Sequence, residues 1–544
     1  MPTTCLMLPK TRLALAAAAL VAGAGLATPV LAKTPVGGEF RANTFTTNSQ
    51  QNPAIAMDAD GDFVVVWESI NQDGSSYGVY AQRYNASGVA QGGEFRVNTF
   101  TTGNQQAPAV AMDASGDFVV TWRGNGLDDS NGIYAQRYSA TGVAQGTEFL
   151  VNTETSNLQT EPAIAIDADG DFVVTWSGYG PFGEGYEIYA QRYNASGVAQ
   201  GSEFQVNTVV IDNQTVPTVA MDADGDFVVA WESYPQDGSS YNIYAQRYNA
   251  TGVAQGSEFK VNTFTTNRQR APAIALDADG DFVVAWHSTQ DGSSYGVYAQ
   301  RYNASGVALG GEFRVNSYTT NTQSTPTVAM DADGDFVVSW SSSGQDGNDY
   351  GVYAQRYSAT GLAQGAEFKV NTFTTLRQLA SAVALDADGD FAITWSSASQ
   401  DGAGTGIYAQ RYQADTLTPS LAVTTSGAST NTTPVPGGPG GTYSFNAQFC
   451  NNTALNMTGL SSKTLTLDNG NNLLNRSRDA LAAPGAAAIP AGGPGSEKDL
   501  TGTTAGYADL RLTNGECVTV PYQIGLTNRN RFNFTIRIRG DNGQ

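Results

Sequence analysis

A seven-bladed β-propeller of four-stranded blades, closed by the N-terminal strand, is the all-β fold that this 544-residue chain predicts. Three observations predict it. Seven tryptophans, at 67, 122, 176, 231, 286, 340 and 395, lie 54 or 55 residues apart throughout. Around each stands one phrase with few departures, Gln-x-x-Pro-x-(Val/Ile)-Ala-(Met/Leu/Ile)-Asp-Ala-Asp-Gly-Asp-Phe-Val-Val-x-Trp, followed by Tyr-Ala-Gln-Arg-Tyr and then Glu-Phe-x-Val-Asn-Thr. Finally, the Glu-Phe segments begin at Glu39, Glu94, Glu148, Glu203, Glu258, Glu312 and Glu367, so the first precedes every unit and the last unit has none after it.

The first copy shows the elements in order. Pro53 to Asp58 and Asp62 to Ser69 alternate with period two. Ile55 and Met57 stand against Ala54 and Ala56, and Phe63, Val65 and Trp67 against Val64 and Val66, the signature of two strands, A and B. Asp58-Ala59-Asp60-Gly61 fits a type I turn between them, with Gly61 where positive φ is wanted. Val79 to Tyr84 reads as strand C and Glu94 to Thr99 as strand D. With Gly61 as a bulge, Met57 faces Phe63, so large side chains share one face of the sheet and alanines the other. A small face stacked on a large one is how radially packed blades interlock. Seven A–B–C units share seven D strands only if Phe40 to Thr44 completes the blade begun at Ala382, which leaves no open edge. An open solenoid would need capping repeats, and none is visible.

The ends of the chain read differently. Lys10 and Arg12 precede an apolar run from Leu13 to Ala27, and Val30-Leu31-Ala32 offers small residues for cleavage: a signal peptide over 1–32 and a secreted product. The run is too short for a transmembrane span. The repeat domain covers 33–412, a linker 413–442, and an immunoglobulin-like β-sandwich 443–544 is expected from strand-like runs carrying Cys450 and Cys517. Two cysteines in an exported chain suggest one disulfide, expected between the two sheets of that sandwich. Arg539-Gly540-Asp541 reads as a chance tripeptide in a loose tail. The net charge of −22 excludes an electrostatic nucleic-acid binder.

From 37 to 412 the motif resembles β-propeller repeats of secreted bacterial proteins and, in outline, NHL and integrin-type propeller units. The integrin resemblance implies calcium, with Asp58, Asp60, Asp62 and their counterparts as ligands. Turn chemistry alone also accounts for Asp58 and Gly61, so the residues themselves require no cofactor.

Other repeated residues invite chemistry. Arg83, Arg137, Arg192, Arg247, Arg301, Arg356 and Arg411 occupy one position of strand C and need partners. Carboxylates of the Asp62 and Glu94 types would form bidentate pairs with them; a cationic ligand ring is the alternative. Gln50 and its six counterparts, three residues ahead of strand A, either bond a neighbouring loop or ring the channel mouth. His287, where other copies carry Glu68, Arg123, Ser177, Glu232, Ser341 and Ser396, reads as an exposed position free to vary.

Function is read from loops. The A–B and C–D turns are nearly identical between copies, whereas the B–C and D–A loops differ and share the opposite face. Ligand binding concentrates on loops displayed by a rigid scaffold. Tyr77, Asp128, Phe182, Tyr241, Asp291 and Tyr295 are the candidates, aromatic platforms beside carboxylates that suit an extracellular glycan or protein. A non-enzymatic recognition or adhesion module is expected. The alternatives are a carboxylate-based glycosidase or polysaccharide lyase, which would break the repeat with unique polar residues, and a surface structural protein.

Overall fold

The computed structural model describes residues 35–413 except 127, 180–184, 211, 235 and 237–239, together with the backbone of strands between 421 and 541. The expected leader therefore lies outside the described residues. Seven sheets, each of four antiparallel strands, occupy 35–412. In the first blade strands A to D are Gln50–Met57, Phe63–Ile70, Tyr77–Tyr84 and Phe95–Arg96. Strand A of every blade adjoins strand A of the next, and Gln378–Leu385 of the seventh adjoins Gln50–Met57 of the first. The innermost strands thus form a closed ring. Pro35–Arg41 supplies the outer strand of the seventh blade, with Phe40 opposite Ala409 and Arg41 opposite Tyr408 on Thr405–Tyr412. An open solenoid is excluded.

Register follows the expected turn. Met57 pairs with Phe63 and Ile55 with Val65, while Gly61 takes φ 89°. Two boundaries differ. Strand A starts at Gln50 rather than Pro53, because the chain pairs before the proline, slips register between Gln51 and Ala54, and then resumes. Pro53 has no N–H to give the ladder, and Asn52 just ahead of it is left-handed at φ 51°. Strand D shrinks to a two-residue ladder, extended by Val97 donating its N–H to the Val79 carbonyl at 2.8 Å.

The alternating faces interlock as the small-on-large pattern requires. Ile55, Phe63, Val65, Trp67, Tyr80 and Tyr84 of the first blade form one core cluster with Ala42, Ala384, Ala392 and Ile407 of the seventh. The opposite face of the first blade, with Ala56, Val64 and Ala81, packs on Phe118, Val120, Trp122 and Tyr138 of the second. Each tryptophan is at most 1% exposed. Burying roughly 200 Å² of indole at about 25 cal/mol/Å² contributes about 5 kcal/mol per blade before entropy is counted. Phe63 stacks on Tyr84 at 4.9 Å, and the Tyr84 hydroxyl crosses the interface to donate to the Ala42 carbonyl at 3.2 Å.

Polar clamps cross the same interfaces. Glu94 accepts from the Thr44 N–H at 2.5 Å and hydroxyl at 2.9 Å, joining the first blade to the seventh, and Glu39 accepts from Thr372 of the sixth at 2.6 and 2.9 Å. These glutamates are therefore engaged with backbone, and the strand C arginines find other partners. Arg192 donates to the carbonyls of Thr251 at 2.7 Å and Ala250 at 2.6 Å in the next blade's C–D turn; Arg137 and Arg247 reach Ser196 and Ser305 at 2.7 Å. For Arg137, Arg192 and Arg247 the expected bidentate carboxylate pair gives way to hydrogen bonds on backbone oxygens, with Asp117, Asp171 and Asp226 near enough to act on them electrostatically. Asp62 is committed elsewhere, accepting the Ala86 N–H at 2.7 Å.

Strand pairing in the C-terminal region builds two sheets. One joins Leu421–Asn431, Thr442–Asn451, Cys517–Gly525 and Asn472–Leu473; the other is centred on Met457–Leu467, which pairs with Phe534–Asp541. Cys450 stands directly opposite Cys517 on adjacent strands of one sheet, so the expected bridge between facing sheets does not apply. Arg539 and Asp541 lie in the final strand, opposite Ser461 and Thr458, not in a tail. Side-chain packing between these sheets lies outside the described residues.

Because Phe40 tilts on Tyr84 at 5.2 Å, Phe40→Ala should destabilise the ring by roughly 3 kcal/mol. A fall in the urea midpoint with one cooperative transition is the expected result; an unchanged midpoint would show that the seam contributes nothing.

Candidate functional site

Two loop sets occupy opposite faces. On the constant face, Asp58 Oδ1 accepts the backbone N–H of Asp60 at 3.0 Å and of Asp62 at 2.9 Å. Its other oxygen lies over Gly116 of the next blade, 3.0 Å from where a Cβ would stand. Glycine is thus needed there twice, for its φ of 86° and for the close carboxylate. Burial pushes Asp58, Asp222 and Asp277 up to about 6 and Asp386 to about 7. Among the described residues no group of three or more His, Cys, Asp or Glu side chains is gathered as metal ligands would be. Of the turn's aspartates, Asp58 serves the turn and Asp62 accepts the Ala86 N–H of the C–D hairpin.

Between the innermost strands lies a set of residues that the sequence reading placed on the surface. The left-handed bulge in strand A recurs at Asn52, Ala107, Glu161, Val216, Ala271, Thr325 and Ala380. It turns a backbone N–H toward the preceding blade. The Ala107 N–H is accepted by Glu68 at 2.8 Å, Ala271 by Glu232 at 2.7 Å and Thr325 by His287 Nδ1 at 3.2 Å. Where the preceding blade offers only Ser177, Glu161 reaches across to the Val216 N–H at 2.8 Å and also accepts from Ser177 at 2.9 Å. His287 is 8% exposed and Glu68 and Glu232 are 1% exposed, so the residue after the tryptophan is buried in every blade but the second, where Arg123 is half-buried, and is not free to drift. Its identity varies while its task, in these blades, does not: a buried N–H needs an acceptor. The visible signal was that this position is hydrogen-bonding in every copy.

Of the two readings of Gln50, the loop contact is the one found: it is fully buried, accepting from Asn43 at 3.1 Å and donating to the Thr47 carbonyl at 3.0 Å, so it ties down the D–A connection and does not ring a channel mouth.

The fourth and fifth blades carry the densest departure from the repeat. Arg270 donates through Nε to Glu232 at 2.9 Å, and its guanidinium lies 4.5 Å over the Tyr241 ring. Tyr295 meets His287 edge-on at 4.5 Å. Burial raises Glu232 in spite of Arg270, with Glu161 adding to the rise. Burial, then Arg270, holds His287 down to about 4, so it stays a neutral acceptor. On the loop side opens a cleft of about 730 Å³ lined by Ser240, Thr265, Thr266, Asn267, Arg268, Thr289 and Tyr295.

Of the six candidates, Tyr241 and Tyr295 come together here around Arg270, and Asp291 sits in the same loop, in the short helix Thr289–Asp291, accepting the Ser293 N–H at 3.0 Å. Tyr77 begins strand C of the first blade, bridged to Asn104, and Asp128 is exposed on the second. Neither joins the cleft, and Phe182 lies outside the described residues. Arg268 and Arg270 were missed, because attention to variable loops stopped short of the strand that follows them. Near the axis the repeat is broken by Arg123, Glu161, Glu232, Arg270 and His287, each of which stands in one or two copies only.

No family model and no curated protein matches the chain, so the NHL-like and integrin-type resemblance remains one of sequence outline. Among solved structures, the β-propeller domain of the Trilobed protease from Pyrococcus furiosus aligns at 10% identity and TM-score 0.41, over 68% of this chain and 96% of that one. The GH93 α-L-arabinofuranosidase of Fusarium graminearum with arabinobiose aligns at 12% and 0.38, over 69% and 98%. Endo-arabinase from Bacteroides thetaiotaomicron VPI-5482 aligns at 14% and 0.31, over 46% and 91%. Among the described residues no helix is long and apolar enough to cross a membrane.

Two outcomes follow from these groups. Asp386 ionises about 7 in the fold against 3.8 ordinarily, so its protonated form favours folding and that contribution is lost as pH rises through 7. Asp386→Asn keeps the turn's acceptor and should raise stability at pH 8 by on the order of 1–3 kcal/mol, with the gain shrinking toward pH 4, as read by thermal melts across pH. Glu232→Ala strands both Arg270 and the Ala271 N–H and should cost about 3–5 kcal/mol, with Glu232→Gln milder, in the same melts.

Proposed function

We propose that the protein is a secreted recognition module that binds a glycan on the B–C and D–A loop face, with the cleft between the fourth and fifth blades as its main subsite. The observation that carries this reading is that the array departs from its own repeat on one face, and that the departure centres on an open, polar cleft. A tyrosine face among hydroxyls and an amide suits a sugar, whose ring C–H groups pack on the aromatic while its hydroxyls find Ser240, Thr265, Thr266 and Asn267. Binding in this reading requires no cofactor, and chelation should leave it unchanged.

A second reading, glycoside hydrolysis, is favoured by one feature: Glu232, buried with a raised ionisation, lies within electrostatic reach of Glu161. Retaining and inverting glycosidases both use a carboxyl pair with one member held protonated. Against it, both carboxyls are already engaged with backbone N–H groups of the next blade.

Titration of the mature protein with a panel of oligosaccharides separates the two. Tyr295→Ala should weaken binding roughly tenfold, about 1.4 kcal/mol, with a single cooperative melt showing that the ring is still folded. Release of reducing ends by the wild type, abolished in Glu232→Gln, would replace recognition with catalysis.

A further inference from the structure

We infer that the saccharide taken by the cleft between the fourth and fifth blades is acidic, its carboxylate held by Arg268 with Arg270 behind it; this rests on the cleft reading above. The array supplies its own control. The residues on either side of the buried glutamine that opens strand A are Ser49 and Gln51, Asn104 and Gln106, Leu158 and Thr160, Asn213 and Thr215, Arg268 and Arg270, Thr322 and Ser324, and Arg377 and Leu379. The fifth blade alone has arginine at both. Arg268 immediately precedes the strand and Arg270 is its second residue, flanking Gln269, which is fully buried.

The two guanidinium groups differ in what they already hold. Arg270 is ion-paired with Glu232 at 2.9 Å and rests on Tyr241, yet about a third of its side chain is still exposed. Arg268 is exposed, lines the cleft, and has no ion pair or hydrogen bond among the described residues. Elsewhere the arginines are tied down: Arg192 to backbone carbonyls, Arg377 to Asp349 at 2.8 Å, Arg123 to Gln106 at 2.9 Å and Thr160 at 3.1 Å. An uncompensated arginine in a cleft of a protein of net charge −22 is a local reversal of sign.

A carboxylate matches the guanidinium fork with two parallel hydrogen bonds. The remaining lining asks for hydroxyl partners on the same ligand, with Tyr295 offering an aromatic face. A uronic acid residue presents all of these on one ring. An acidic peptide would satisfy the arginine but would leave the cleft's hydroxyls and amide without matching groups. The surrounding acidic surface repels long polyanions, so affinity should rest on a short segment and fall with salt.

Calorimetric titration of the mature protein tests this with three probes: a galacturonate trimer, its methyl ester, and a sulfated galactose trimer. The expected result is binding of the acid, at least roughly tenfold weaker binding of the ester, and a similar loss for Arg268→Gln with the acid but not with the ester. Arg268 holds nothing in the fold, so the variant should melt with the wild type. Tyr295→Ala should weaken acid and ester alike, which marks the cleft as the place. Equal binding of acid and ester, unaffected by Arg268→Gln, overturns the anionic inference and leaves the cleft reading intact. No saccharide binding, or binding indifferent to Tyr295→Ala, removes the cleft reading and this inference with it. Preference for the sulfated trimer overturns the uronate assignment.

Discussion

Everything in this molecule depends on one antiparallel pairing, that of Pro35–Arg41 with Thr405–Tyr412. Each blade buries its large face on the small face of its neighbour, so no blade is complete alone, and the row has no natural end. The pairing removes the end. It completes the seventh sheet, brings Ala42 under the Tyr84 hydroxyl, and sets Glu39 and Thr44 where they clamp the blades on either side. The strand is short, but it touches three blades, which is why its loss would be felt round the ring.

The scaffold was legible because seven copies lie side by side in one chain. Agreement at Phe63, Val65 and Trp67 set the faces, Asp58 and Gly61 set the turn and register, and the displaced Glu-Phe segment set the closure. What escaped was whatever depended on a single non-repetitive backbone turn. The left-handed residue before each strand A proline, or before Ser381, carries no signature side chain: Asn, Ala, Glu, Val and Thr all occupy it. Without that bulge there is no inward N–H, and without the N–H there is no reason to bury His287 or Glu232. The arginines of strand C escaped for a different cause. Carboxylates were the obvious partners by charge, whereas backbone carbonyls in the next turn were nearer and carry no letter in the sequence.

This separates two kinds of variation. Glu68 and Glu232 differ in chemistry from His287 yet all three do the same work, each accepting one buried N–H. Arg268 does no such work. A departure from the repeat that stabilises nothing is better explained by what lies outside the fold than by the fold itself, and for that reason the fifth blade's loop side is the informative one.

Glu39 and Thr372 are separated by 333 positions in the chain. The strand that precedes the whole array is thus the partner of segments made near its end. Blades can stack as they are made, but the circle stays broken until almost all of it exists. Joining such distant parts carries a large loop-closure entropy and a slow search. The chain therefore has a built-in delay between synthesis and the finished circle, during which the seventh blade lacks its outer strand.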